Sequence, residues 1–171
     1  MKPLSQRTSA ATAGLLLITI LTAGCGLSAT GTNMQGKQLF EQGQYAQAIE
    51  MFQRSITADP RNADGYYNMA TAYYYLGKQQ KNAAWTQQAD QLYRQALNLD
   101  PNFVDAYRGL SATLIDEGRT QEAFQLVENW RVQQPQSAEP SIELARLYRE
   151  AGDSAAATQL LADALQIDGD N

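Results

Sequence analysis

One cysteine, no histidine and nine tyrosines set the chemistry open to the side chains of this 171-residue chain. Histidine is the commonest general base near neutral pH and the usual orienting partner of a Ser or Cys nucleophile, so both arrangements are missing. A lone thiol forms no internal disulfide and falls well short of the four ligands of a structural Cys/His zinc site. With 18 acids against 13 cations the formal charge is −5. That balance argues against nucleic-acid binding, which needs a clustered positive surface to displace phosphate counterions. There is no Gly-rich phosphate loop, paired-carboxylate motif or nucleophile motif, and Asp168-Gly169-Asp170-Asn171 is too short for a calcium loop and lacks its terminal glutamate. The expectation is a chain that is no enzyme and holds no metal or cofactor.

The cysteine has a context of its own. Lys2 and Arg7 precede an uncharged apolar stretch around Leu15-Leu16-Leu17-Ile18-Thr19-Ile20-Leu21, which is shorter than the roughly 20 residues of a membrane-spanning helix and ends in small residues, as a cleaved signal peptide does. Leu21-Thr22-Ala23-Gly24-Cys25 resembles the lipobox of bacterial lipoproteins, with Thr22 where leucine is commoner. The resemblance implies a signal peptide over 1–24, cleavage before Cys25, and covalent diacylglycerol and fatty acid on Cys25. More than one acyl chain makes anchoring stable, at ~0.8 kcal/mol for each buried methylene. Loss of Lys2 and Arg7 would take the net charge from −5 to −7. Residues 25–31 then read as a lipidated tether, small and uncharged. Gly26 stands where an aspartate retains many lipoproteins at the inner membrane, so the expected place is extracytoplasmic, with the outer membrane favoured.

Beyond the tether the chain repeats. Gly43, Gly77, Gly118 and Gly152 are spaced 34, 41 and 34 residues apart, and Ala48, Ala89, Ala123 and Ala157 are spaced 41, 34 and 34. Pro60, Pro101 and Pro135 keep the same register. Each unit reads as two helices around a glycine: Tyr66, Met69, Ala70 and Tyr73 share one helical face, Gly77 suits a helix end, and Ala89, Leu92, Tyr93 and Ala96 form a second stripe that stops before Pro101. Tyr66-x₂-Met69-Ala70-x₂-Tyr73 and Ala48-x₃-Phe52 with Pro60 resemble the tetratricopeptide repeat (TPR). The resemblance spans 32–171 and implies an all-α, right-handed solenoid of about four helix-turn-helix units, at about 29–62, 63–103, 104–137 and 138–171. Small residues such as Gly36, Ala70 and Ala145 would let paired helices approach. The first unit is weak, with Thr32 and Gln35 at its opening aromatic and leucine positions. The second carries seven extra residues near Lys78–Ala84, and lengthening of one helix would pack Trp85 on the pair. Trp130 stands where a small residue is expected, so looser or rearranged packing is expected there.

The family's concave groove, lined by the first helix of each unit, commonly receives an extended peptide or a partner's helix. By register the lining is Asn33 and Lys37, then Tyr67, Asn68, Thr71, Tyr74 and Tyr75, then Arg108 and Ile115, then Ile142, Arg146 and Arg149. Tyr and Arg dominate binding hot spots, although Asp105, Glu143 and Glu150 offer the arginines ordinary ion pairs. Tyr66 and Tyr73 hold core positions. Asn33, Lys37 and Asn68 only loosely resemble the family's carboxylate clamp, with Ala112 where a second cation would help. The expected function is a membrane-anchored scaffold binding partner proteins or peptides in this groove. The alternatives are an assembly lipoprotein resembling those of type IV pilus biogenesis, or a structural protein that self-associates through the C-terminal edge around Leu160, Leu161, Leu165 and Ile167.

Overall fold

A computed structural model describes residues 19–169, with side chains from Ala29 onward; the expected signal peptide before Thr19 and the thiol of Cys25 lie outside the described residues. Among the described residues eight helices follow one another: α1 Thr19–Glu41, α2 Tyr45–Ala58, α3 Ala63–Gln80, α4 Ala83–Leu99, α5 Val104–Asp116, α6 Thr120–Gln133, α7 Glu139–Glu150 and α8 Ser154–Gly169. Among the described residues there is no strand. Consecutive helices pack as antiparallel pairs, and each pair packs on the next through α2 on α3, α4 on α5 and α6 on α7. Odd-numbered neighbours also touch, α1 with α3 and α3 with α5, which brings the first helices of successive units onto one face.

The apolar period explains the even-numbered helices. Ala48, Phe52, Ser55 and Ile56 form the buried stripe of α2, and Ala89, Leu92, Tyr93 and Ala96 that of α4. These stripes join Met69, Ala70, Ala72, Tyr107, Leu110, Leu114, Val127 and Leu144 in one continuous core. Each large aliphatic or aromatic side chain buried there contributes about 1.5–3 kcal/mol. Close approach needs missing side chains at particular points. A Cβ on Gly36 would stand 2.5 Å from the Phe52 ring, so the first pair closes only with glycine there. Asp59 and Asp100 end α2 and α4, each accepting a backbone N–H two residues on, from Arg61 and Asn102, as the chain turns through the following proline.

Four turns inside the pairs share one hydrogen-bond pattern. Gln44, Arg119 and Asp153 each donate a backbone N–H to the carbonyl five residues earlier, at 2.9, 2.8 and 2.9 Å, around a left-handed Gly43, Gly118 or Gly152. In the second pair the same bond runs from Asn82 to Gly77, at 3.0 Å, and the left-handed residue is Lys81, at φ 51°. Gly77 therefore does not end its helix, contrary to the expectation from its register. It lies buried inside α3, where a Cβ would meet Thr86 Cγ2 at 2.8 Å and Trp85 Cβ at 3.1 Å.

Nor does one helix alone take up the insertion. Lys81 stands four residues beyond Gly77, and Ala89 stands eight beyond Lys81 where the other units have five between glycine and alanine. The seven residues thus divide four to α3 and three to α4, about one turn each, so both helices lengthen and keep their faces. Trp85 packs on the longer pair as expected, stacked on Tyr73 with centroids 5.4 Å apart.

At Trp130 the structure differs from a loosened joint. The indole is fully buried and lies flat on Tyr107, with centroids 4.3 Å apart and planes within 4°. The space a small residue would leave is filled by ring stacking. Residues 25–31, read as the tether, are helical within α1, and Ala29 is buried with its carbonyl accepting from Ser55 Oγ at 2.8 Å. No helix among the described residues is long and apolar enough to cross a membrane.

Candidate functional site

The face shared by α1, α3, α5 and α7 carries two hollows joined by a polar cluster. The smaller, about 240 Å³, is lined by Lys37, Phe40, Glu41, Phe52, Tyr67, Asn68 and Thr71. Asn68 Nδ2 donates to Asn33 Oδ1 at 3.0 Å, tying α3 to α1, and Thr71 Oγ1 bonds the Tyr67 carbonyl and lies 3.0 Å from the Tyr93 hydroxyl. These polar groups are held by one another. Lys37 is exposed at the rim and makes no ion pair among the described residues. The Tyr67 ring rests on Phe103, 5.0 Å between centroids, and burial followed by the nearby Asp105 carboxylate pushes its phenol pKa up.

Between the hollows Tyr74 donates to Asp116 Oδ2 at 2.5 Å, and Lys78 Nζ reaches the same oxygen at 2.7 Å. Burial, and then the bond to Asp116, pushes the Tyr74 phenol up to about 12. Burial also raises Asp116, but the bonds from Lys78 and Tyr74 outweigh it and hold the carboxyl below its usual value. Tyr75 turns elsewhere: it stacks on Tyr45 of α2 at 5.6 Å and meets Phe40 edge-on, leaving the groove's floor to its neighbours.

The larger hollow, about 490 Å³, lies between α5, α7 and α8. Ala112, Ala145 and Ala157 line it with Ile142 and Leu161, and Arg108, Arg146, Arg149 and Glu143 supply its charge. Arg108 is tied to Glu139 of the next unit at 2.5 Å. Arg146 grips Glu143 at 2.5 Å and Glu150 at 2.6 Å, and reaches Ser111 Oγ at 3.2 Å. Ser111 also donates to Glu143, which is only 2% exposed. Arg149 is exposed and has no ion pair among the described residues. Asn33, Lys37, Tyr67, Asn68, Thr71, Tyr74, Arg108, Arg146 and Arg149 thus fall on or around one surface, whereas Tyr75 sits at its edge.

Asp116, Lys78 and Ser111 belong to this surface and were not anticipated from residue type, whereas Glu143 pairs with Arg146 as its spacing suggests. A signal for them exists in the numbering. The bridging pairs Asn33–Asn68, Tyr74–Asp116 and Ser111–Arg146 are separated by 35, 42 and 35 residues, one repeat period plus one. Among the described residues no group of three or more His, Cys, Asp or Glu side chains is placed to hold a metal ion.

The family comparisons agree with this geometry. Residues 36–77 match a model described as a TPR repeat and residues 114–171 one described as a tetratricopeptide repeat, together over half of the chain. A crystal structure of MamA is similar in fold, with a TM-score of 0.63 and 20% identity over 89% of this chain and 84% of that one. The second TPR domain of human RPAP3, solved with the HSP70 peptide SGPTIEEVD, is 26% identical, with a TM-score of 0.57, over 74% of this chain and 97% of that domain. Pseudomonas aeruginosa pilF has a TM-score of 0.64 and 18% identity over 86% of this chain and 64% of that one.

Proposed function

We propose that this chain, which belongs to the tetratricopeptide-repeat family, is a lipid-anchored, extracytoplasmic platform that binds segments of partner proteins along its concave face. The observation that carries the binding role is the continuous surface of α1, α3, α5 and α7, where the register-matched side chains converge around two hollows. A relative that holds a peptide on the same fold supports it. The anchoring role rests on the lipobox-like run ending at Cys25. Acylation would confine the groove to the membrane surface and raise its effective concentration near membrane machinery. The narrower reading, an assembly lipoprotein for type IV pili, draws only a shared fold from the likeness to pilF.

Two experiments separate the two halves of this reading. Metabolic labelling with a palmitate analogue should mark the wild-type chain and not Cys25→Ser, which should leave the membrane fraction; an unlabelled, still membrane-bound wild type would sink the anchor. Crosslinking in the native cell should capture a partner that is lost in a Tyr67→Ala/Tyr74→Ala variant whose circular dichroism is unchanged. Equal capture by both chains would remove the groove from the account.

A further inference from the structure

We infer that the edge of the solenoid formed by the loops between units faces the bilayer, with the turns inside the pairs held away from it; this deepens the anchoring half of the proposed function and rests on it. The first ground is how little slack α1 leaves. Ala29, only four residues beyond Cys25, is buried, and its carbonyl accepts from Ser55 Oγ at 2.8 Å and from Thr32 Oγ1 at 3.0 Å. Four residues span at most about 14 Å when fully extended. Here they are helical within α1, so about 6 Å separates Cys25 from Ala29 along the axis. Acyl chains on Cys25 would therefore hold a docked helix and not a free tether.

Register decides which edge they hold. α1 and α2 are antiparallel and Ala29 lies opposite Ser55, so four steps back in α1 match four steps forward in α2. Cys25 comes level with Asp59, where α2 ends. The same edge carries the three loops between units, 59–62, 100–103 and 134–138, because α2, α4 and α6 end there and α3, α5 and α7 begin there. Gln134 Nε2 ties two of these loops together, donating to the Pro101 carbonyl at 3.0 Å and to Asn102 Oδ1 at 2.6 Å. The turn at Lys81 lies at the opposite edge, about 27 Å away by the 18 residues of α3.

Charge decides how close the edge comes. The three loops hold Asp59, Asp100 and one cation, Arg61, and the first turns of α3, α5 and α7 add Asp64, Asp105 and Glu139. Such an edge lacks the cluster of about four to eight Lys/Arg that draws a surface onto anionic lipid. The acyl chains alone hold it, at the level of the headgroups. α1 and α3 then rise from the bilayer, and the groove surface they share faces sideways along it.

The test uses the full acylated chain in vesicles of phosphatidylethanolamine and phosphatidylglycerol, some carrying a nitroxide on the headgroup. Because Cys25 is the chain's only cysteine and is blocked by acylation, a single introduced thiol takes a fluorophore alone. Labels at Arg61→Cys and Asn102→Cys should be quenched severalfold more than labels at Gln42→Cys and Gln79→Cys, with circular dichroism unchanged because all four side chains are exposed. Added salt should leave that contrast intact, since attraction between charges does not set it. A linker of about 12 Gly and Ser residues inserted between Gly26 and Leu27, about 19 Å long on average, should abolish it while the chain still floats with the vesicles. Equal quenching at both edges, stronger quenching at Gln42→Cys and Gln79→Cys, or a contrast that survives the linker would overturn the orientation and leave the anchor. A chain that neither floats with vesicles nor takes up the palmitate analogue would overturn both.

Discussion

Arg146 shows how a side chain chosen for its type serves another purpose first. It neutralises Glu143, which is 2% exposed, while Ser111 supplies a further bond. Removing one member of a buried pair leaves an uncompensated charge, so Arg146→Ala should destabilise the fold by about 3 kcal/mol in urea titration. Glu143→Leu combined with Arg146→Met should recover most of that loss; a single variant as stable as wild type would show the pair to be dispensable. Tyr74 makes a prediction in pH. Its phenol rises from 10.0 to about 12 in the folded chain, so its contribution is complete below pH 10 and is lost as pH rises toward 12. Tyr74→Phe should therefore flatten the alkaline limb of the stability curve between those values, and tyrosinate absorbance should lose one late-titrating phenol. Residue type and register brought Tyr67, Tyr74, Arg108 and Arg146 to the concave face. Glu143 was legible as a partner of Arg146 three residues away, but its burial under Ser111 and the bond of Tyr74 to Asp116 were hidden, because both acids read as ordinary solvated residues until the offset between neighbouring units is known.

At the level of elements, the landmark glycines illustrate what spacing can and cannot carry. Gly43, Gly118 and Gly152 occupy left-handed turns, as their register suggests, because each follows the last apolar turn of its helix. Gly77 keeps the register but not the role. An insertion of seven moves the turn to Lys81 while leaving Gly77 at the crossing of α3 and α4, and sequence spacing alone cannot tell a turn glycine from a packing glycine. The two positions should respond oppositely. Lys81→Gly should relieve left-handed strain and stabilise by about 1 kcal/mol. Gly77→Ala should cost about 1–3 kcal/mol, since the added methyl meets Thr86 and its backbone nitrogen within 3.1 Å. Thermal denaturation of the two variants checks both signs, and a stabilised Gly77→Ala would mean that α3 and α4 are less closely packed than described.

For the molecule as a whole, stability is carried from unit to unit by neighbouring interfaces, so it is not uniform along the chain. The middle is doubly supported. Arg119 binds Asp90 of α4 at 2.6 Å and Glu117 at 2.9 Å, while Thr86 donates to Glu117 at 2.8 Å, linking the second unit to the third. Asp90 is also paired with Arg94 and is 6% exposed. At the far end α8 buries only Ala157 and Ala164, and Leu165 is 73% exposed, so little apolar area resists its opening. Native-state hydrogen exchange should accordingly give the slowest amides in α3–α5 and the fastest helical amides in α8. Binding at the larger hollow, which includes Ala157 and Leu161 of α8, should then slow α8 selectively. Because α8 closes one wall of that hollow, a partner segment that protected α3 but left α8 unchanged would place its seat at the smaller hollow instead, and uniform exchange from α1 to α8 would show that the units open as a single block.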